Sequence, residues 1–527
     1  MAGLDVSQLK LPDIDFLNPS KGIQCYTYNC VSGCSIELSV PGKPPLIKSG
    51  LKRFTIDHLE LERKDTTPPY FNGIFRCRVL QHGREVFNKW VEINAITGTL
   101  GQGTMKTLVD QTSLISNDIC VTHCFYDAPH KGNIAGLPYR DQFYVTVSPN
   151  NSAWLSTIAP LGSVAAAKPF RRLVLPAAHD VGMNSLHTSD ILFQRVGGAF
   201  ARVRQSSATS QSPVHFPREL LPQYSTRKHA ANFTLQVVET IAPAGKDLQI
   251  ADILKGPLIP NVIQSSSITQ KDELQSMLAI GARYFEFRPA HLHQAFRGLP
   301  QLQDMKDKLF FMHGPIPGMG YDDFLDDCVA FLVRHPGEIV VVHLRWDGVP
   351  VECARPTPDD LDRHLSEALK AAQGGALQIG HLQEMTSQTI DELRRTQRRL
   401  LVIQNVDNYN IYSDQANATL DGDSIVAQFN NISTAQQDGK AFTNIQCQAT
   451  ATNLGLKIWF SAIAATASNS WLLATKAICD SKTMPWVKDK ALEKLPRDQL
   501  LVLMDDFVDG GMCDVALDLS MQRLKKP

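Results

Sequence analysis

Two rhythms of apolar and polar residues divide the chain. From about residue 20 to 147 apolar positions alternate with polar ones, the period-two mark of a half-buried strand. FRCRVLQ and REVFNKWVEI flank His82-Gly83, a hairpin turn, and DQFYVTVS sets Phe143, Val145 and Val147 against polar partners. Turn-rich spacers such as KDTTPPYFNG separate the runs. The pattern predicts an antiparallel β-sandwich domain over residues 1–149.

After SPNNSAWLS the rhythm changes. The apolar runs LVLP, RYFEFR, LFFMH, EIVVVHLR, RRLLVIQN, SIVAQFN, LKIWFSAIA and QLLVLMDDF alternate with amphipathic stretches such as YDDFLDDCVAFLVRH and PDDLDRHLSEALKAA. Buried-type strands with helices between them predict an α/β fold, a TIM-type (β/α)8 barrel over residues 150–527. A stretch at about 186–262, rich in Ser, Gln and Pro, interrupts it. It reads as a long loop on the active face, either a lid or a plain surface insertion.

Composition narrows the classes. The chain of 527 residues is long for one domain, and 43% hydrophobic with 20% charged residues is the make-up of an ordinary globular protein. A net charge of -1 gives no electrostatic reason to expect a nucleic-acid partner. MAGLDVSQLKLPDIDF lacks the charged head and apolar run of a signal peptide, and no run reaches the roughly 18 apolar residues of a membrane span, so a cytoplasmic protein is expected. The eleven cysteines include the groups Cys25, Cys30, Cys34 and Cys120, His123, Cys124. Their spacing is not that of zinc ligands, and buried thiols are the expectation.

The chemistry stands at the strand ends, where the loops of a parallel barrel converge on one open face. His179-Asp180 follow the first strand, Glu286 and Arg288 lie on the second, His313 closes the third, Arg345 the fourth, and Asp505-Asp506 the last. Singly, each has a plain alternative: a strand-end histidine is often a satisfied structural one, and an aspartate after a strand is often a helix cap. Together they favour function. Two imidazoles across a pocket suit acid–base work near neutral pH, and an arginine between them offers a planar double donor for a phosphate. Base, acid and phosphate clamp point to phosphodiester cleavage.

These motifs resemble the X-domain barrel of the phosphatidylinositol-specific phospholipase C-like phosphodiesterases, over roughly residues 150 to 522. NNSAWLSTI with LVLPAAHDVGMNS is similar to the family's opening helix and its Pro-Gly-Thr-His-Asp-Ser strand end. SITQKDELQSMLAIGARYFEFR, LFFMHGP, FLVRHPGEIVVVHL and VLMDDFV follow in the family's order. The resemblance implies that His179 is the general base, that His313 protonates the leaving alkoxide with Asp180 as its partner, and that Asp506 orients His179, Asp505 being the second choice. It places Arg288 at the phosphate and Arg345 at the head group, with Glu286 beside them. Calcium-dependent members carry a metal-binding carboxylate at the Arg288 position, so no metal and no cofactor are expected here.

The chain departs from the pattern at Ala177-Ala178, at Glu286, and in the long stretch between the two histidines. The implied partners are a phosphodiester or phospholipid substrate and, with it, peripheral contact with a membrane. Two other readings stay open. One is a metal-dependent phosphodiesterase of the glycerophosphodiester or sphingomyelinase D type, whose Glu-x-Asp pair Glu286-x-Arg288 breaks. The other is a non-catalytic lipid- or protein-binding module on the same barrel.

Overall fold

The computed structural model describes residues 22–59, 72–94, 99–100, 111–126, 141–185, 187–192, 194–195, 267–413, 422–433, 439–449, 471–495 and 498–526. Most of the 186–262 stretch and all of the expected strand LKIWFSAIA lie outside them.

Ten strands come first: β1 Ile23–Asn29, β2 Cys34–Ser39, β3 Leu46–Ser49, β4 Leu51–Leu59, β5 Asn72–Gln81, β6 Arg84–Asn94, β7 Thr99–Leu100, β8 Leu114–Ile115, β9 Ile119–Tyr126 and β10 Asp141–Pro149. They form two five-stranded sheets, ordered β4-β1-β10-β9-β8 and β3-β2-β5-β6-β7. One core joins them: Ile23, Val121, Phe143 and Val145 from the first sheet meet Ile36, Phe75, Val79 and Val91 from the second. His82 and Gly83 make the β5–β6 turn with φ of 50° and 79°, as the right-handed twist of a two-residue hairpin requires. One pair departs from the antiparallel expectation. β1 runs parallel to β10, because the chain places several strands between them and so is free to re-enter the sheet in the same direction.

Eleven strands follow: β11 Val174–Ala178, β12 Tyr284–Phe287, β13 Pro289–His291, β14 Leu309–His313, β15 Ile316–Gly320, β16 Val340–Leu344, β17 Ile379–Gly380, β18 Leu400–Gln404, β19 Asn410–Tyr412, β20 Phe442–Gln446 and β21 Leu500–Asp505. Eight of them form one sheet, ordered β17-β18-β16-β12-β11-β21-β20-β19, with every pair parallel. One face packs on helices such as Tyr321–Arg334, whose Phe324, Cys328, Phe331 and Leu332 are buried. On the other face Leu175, Tyr284, Val341, Leu401, Phe442 and Val502 share a core.

The strand list lacks the short strands β17 and β19, and it needs three further corrections. LFFMH is a strand, β14, but it belongs to a separate antiparallel sheet with β13 and β15. An apolar run of five looks the same in either kind of sheet. SIVAQFN is part of the helix Gly422–Asn430, which buries Ile425 and Phe429, four apart on one helical stripe. FTNIQ is a parallel strand that its polar residues disguised, since Asn444 lies on the sheet's inner face.

The two parts are closely joined. The final helix, Gly510–Lys525, lies against β10, where a Cβ on Gly510 would come within 2.4 Å of Ser148. Only glycine lets the backbones approach so far. This explains why β10 is buried on both faces except at its last residue. Among the described residues no helix is long and apolar enough to cross a membrane.

Candidate active site

Register builds the site. Ala178 of β11 pairs with Asp505 of β21, so the next residues, His179 and Asp506, emerge side by side. His179 Nδ1 stands 2.8 Å from Asp506 Oδ1. On β12 the residues Tyr284 and Glu286 share the face opposite Phe285 and Phe287, and Glu286 pairs in register with His343 of β16. Two layers result. In the lower one the Tyr284 hydroxyl meets His343 Nδ1 at 2.6 Å, and burial pulls that imidazole down to about 4. In the upper one Glu286 accepts from Arg288 at 2.7 and 3.0 Å with Oε1 and from Arg345 at 2.9 Å with Oε2.

Asp180 sits at the centre. Its Oδ2 lies 3.7 Å from His179 Nε2 and 3.6 Å from His313 Nε2, and its Oδ1 lies 2.8 Å from Arg288 Nη2. It is buried, and its backbone takes φ of 42°, a left-handed conformation that aspartate tolerates better than most side chains. This twist turns the carboxylate back between the two imidazoles. The histidines themselves stay open, with 22% and 24% of their side chains exposed, and so face an incoming molecule. His313 comes from the side, on the antiparallel sheet, where Met312 N donates to Arg288 O and so docks that strand end beside β12.

The electrostatics separate the two imidazoles. Burial works against the imidazolium of His179, but the carboxylates of Asp180 and Asp506 outweigh it and hold this group up at about 9. Burial lowers His313, and Arg288 and His179 add to the effect against the pull of Asp180. In the free site the proton therefore rests on His179. Burial raises Asp506, against the lowering by His179. Glu286 is held well below the usual carboxylate range, because its two arginines overcome its burial.

The structure gathers His179, Asp180, Glu286, Arg288, His313, Arg345 and Asp506 in one connected set of contacts. Asp505 points elsewhere: its Oδ2 meets Lys476 at 3.0 Å, away from the histidines. Adjacent residues at a strand end alternate faces, so only one of the two aspartates can reach His179. Sequence reading missed Gln270. Its amide donates to the carbonyls of His179 and Asp505 at 3.0 and 3.1 Å, and its Oε1 accepts from Val508 N, tying the ends of β11 and β21 together. No periodicity announces such a residue. All eleven cysteines are free thiols, ten of them buried. Among the described residues no three His, Cys, Asp or Glu side chains are grouped to hold a metal ion.

No family model and no curated protein matches the chain. Among solved structures it is similar to phosphatidylinositol-specific phospholipase C from Listeria monocytogenes, with 13% identity and a TM-score of 0.38, covering 70% of this chain and 98% of that one. The F249X mutant of the Staphylococcus aureus enzyme gives 11% identity, a TM-score of 0.35 and the same coverage.

Proposed function

We propose that the chain is a metal-independent phosphodiesterase of the phospholipase C-like kind, with a closed (β/α)8 barrel over residues 150–527 and a β-sandwich over 1–149. It cleaves a phosphatidylinositol-like lipid or a related head-group diester. The observation that carries this reading is the single carboxylate of Asp180 set between two imidazole Nε2 atoms and a guanidinium.

A hydroxyl of the substrate's own head group attacks phosphorus. Its proton passes to His179 Nε2, while Asp506 keeps the imidazole oriented through Nδ1. The bond from phosphorus to the leaving alkoxide breaks, and His313 supplies the proton that completes the released alcohol. The products are a cyclic phosphodiester and, from a lipid, diacylglycerol. Arg288 neutralises charge that builds on the phosphoryl oxygens, the work a calcium ion would otherwise do. Arg345 and Glu286 hold the head group.

The resting proton is on the wrong histidine for this cycle, and substrate corrects it. A phosphate that draws Arg288 toward itself strips Asp180 of its cation. Asp180 attracts both imidazoles alike, but Arg288 lowers His313 in particular, so a guanidinium neutralised by phosphate relieves His313 and lets the proton move from His179 to His313. A lipid surface is the partner this reading implies. Val351, 92% exposed on the loop that leaves β16 after Arg345, is an apolar side chain open to such a surface.

Phosphorus NMR tests the proposal on phosphatidylinositol vesicles and a panel of glycerophosphodiesters. A five-membered cyclic phosphate signal that persists in EDTA is the expected result. Turnover lost in EDTA would mark a metal-dependent phosphodiesterase instead, and no turnover on any diester would mark a non-catalytic module.

A further inference from the structure

The N-terminal strands reach the histidine pair through a second, fully buried charge cluster. Lys476, on the helix Trp471–Lys494, directs its ammonium at three carboxylate oxygens: Asp480 at 2.8 Å, Asp505 at 3.0 Å and Asp509 at 2.9 Å. Tyr144, on β10, donates its hydroxyl to Asp509, with Asp480 Oδ2 a longer second partner at 3.3 Å, and its ring centre lies 5.6 Å from the same ammonium. Asp505 Oδ1 accepts the backbone N–H of Asp506 at 2.9 Å, and Asp506 in turn holds His179. The contacts thus run without a break from a strand of the first unit to the proposed base.

One ammonium cannot neutralise three buried carboxylates. Burial and the charge of Asp505 push Asp480 well up, so of the three carboxyls it holds a proton most readily. Asp509 overcomes its burial through Lys476, the Tyr144 hydroxyl and the N–H of Met512, and stays low. Asp505 is the poised member: burial raises it and Lys476 opposes the rise. Its charge lies one residue from Asp506, whose carboxyl it helps to raise.

We propose that Tyr144 and Lys476 are positioning residues for His179: they set the charge on Asp505, and Asp505 sets how tightly the Asp506–His179 pair holds its proton. The first unit thereby tunes the base from behind. Without the Tyr144 hydroxyl, Asp509 draws more of the ammonium to itself. Lys476 then gives less to Asp505, which takes up a proton, and the pull on the His179 imidazolium weakens. The other groups facing His179 are Asp180, Glu286, His313 and, through Asp180, Arg288; Cys447 and Asp480 also face Asp505. The test variants leave all of these unchanged.

The proposal rests on the reading of His179 as base, but its test needs no substrate. The full chain is labelled with carbon-13 at histidine, and the His179 resonance is assigned by its loss in His179→Asn. Asp505→Asn should lower the apparent pKa of the His179–Asp506 pair by about 1, and Tyr144→Phe by about 0.5. In the Asp505→Asn background Tyr144→Phe should add nothing, because its effect passes through that carboxylate. Tyr28→Phe is the control: Tyr28 donates to Asp514 at 2.7 Å in the same interface but touches none of the cluster, so His179 should titrate as in the wild type.

An unmoved titration in Tyr144→Phe, or an equal shift in Tyr28→Phe, overturns the proposal. So does a Tyr144→Phe shift that persists in the double variant. Should Asp505→Asn fail to fold, Tyr144→Phe against Tyr28→Phe still decides. Failed diester assays beside the stated shifts would remove the phosphodiesterase reading and leave the coupling. Successful assays with an unmoved titration would remove the coupling alone.

Discussion

Arg283 and Arg288 stand at the two ends of β12, and the same side chain does opposite things there. Arg283, below the strand, is fully buried and has spent its donors: it gives to Glu338 at 2.8 and 3.0 Å and to the carbonyls of Leu278, Ala282, Asn151 and Ser152, all within 3.0 Å. Its guanidinium also lies 4.6 Å from the Phe331 ring centre. Arg288, above the strand, divides itself between Glu286 and Asp180, and its Nη1 has no hydrogen-bond partner among the described residues. A saturated arginine can only hold a structure together. One with a donor in reserve, beside a partly open pocket, can take on a new anion. Saturation, more than burial or charge, separates the structural arginine from the one proposed to meet the phosphate.

The widest test of that contrast removes the chemistry above the strand. His179→Ala and His313→Ala should each cut turnover by about 10²–10⁴ while the protein stays folded, as circular dichroism and turnover measured together will show. A variant that keeps more than about a tenth of the wild-type rate would contradict the paired roles. Arg288→Ala should lose about 10²–10³ in kcat without added metal, and Arg288→Lys should be clearly impaired because it keeps the charge but not the planar fork. A wild-type rate for Arg288→Ala would end the phosphate-clamp assignment.

Arg283→Met reverses the pattern. It strands Glu338 in the interior and should cost about 3–5 kcal/mol in urea unfolding, while the folded fraction keeps its kcat. A larger loss of stability in Arg288→Ala than in Arg283→Met would break the comparison.

The smallest effect concerns pH. Because the folded protein holds His179 at about 9, above the usual 6.5, its contribution to stability is complete below pH 6.5 and fades as the pH rises through 9. Wild type should therefore lose on the order of 1–3 kcal/mol relative to His179→Asn across that interval, read from urea midpoints. A constant difference would show that the imidazolium is not held by its carboxylates.

Much of the upper site was legible in the sequence because each member follows an apolar run by one or two residues. His179, Asp180, Glu286, Arg288, Arg345 and Asp506 all obey that rule. His313 obeyed it for a different reason, since its strand lies in the antiparallel sheet and only docks beside β12. The choice between Asp505 and Asp506 turns on which face each takes, a matter of register that no single strand records. FTNIQ was missed because its polar Thr443 and Asn444 are buried, one on each face of the sheet. Lys476 and Asp480, four apart on a helix, gave a faint signal of an ion pair, but nothing in the sequence tied them to Tyr144, more than three hundred residues away. Contacts that close over such distances leave no local trace.

Gly510 against Ser148 has a consequence for how the protein is made. The first ten strands leave the ribosome early, yet the helix that covers β10 follows roughly 360 residues later. At about 5–20 residues per second, that outer face waits some tens of seconds for its cover. Tyr144, Thr146 and Ser148 stand uncovered through the whole interval. A nascent chain in this condition exposes the outer face of β10 until the helix Gly510–Lys525 is made.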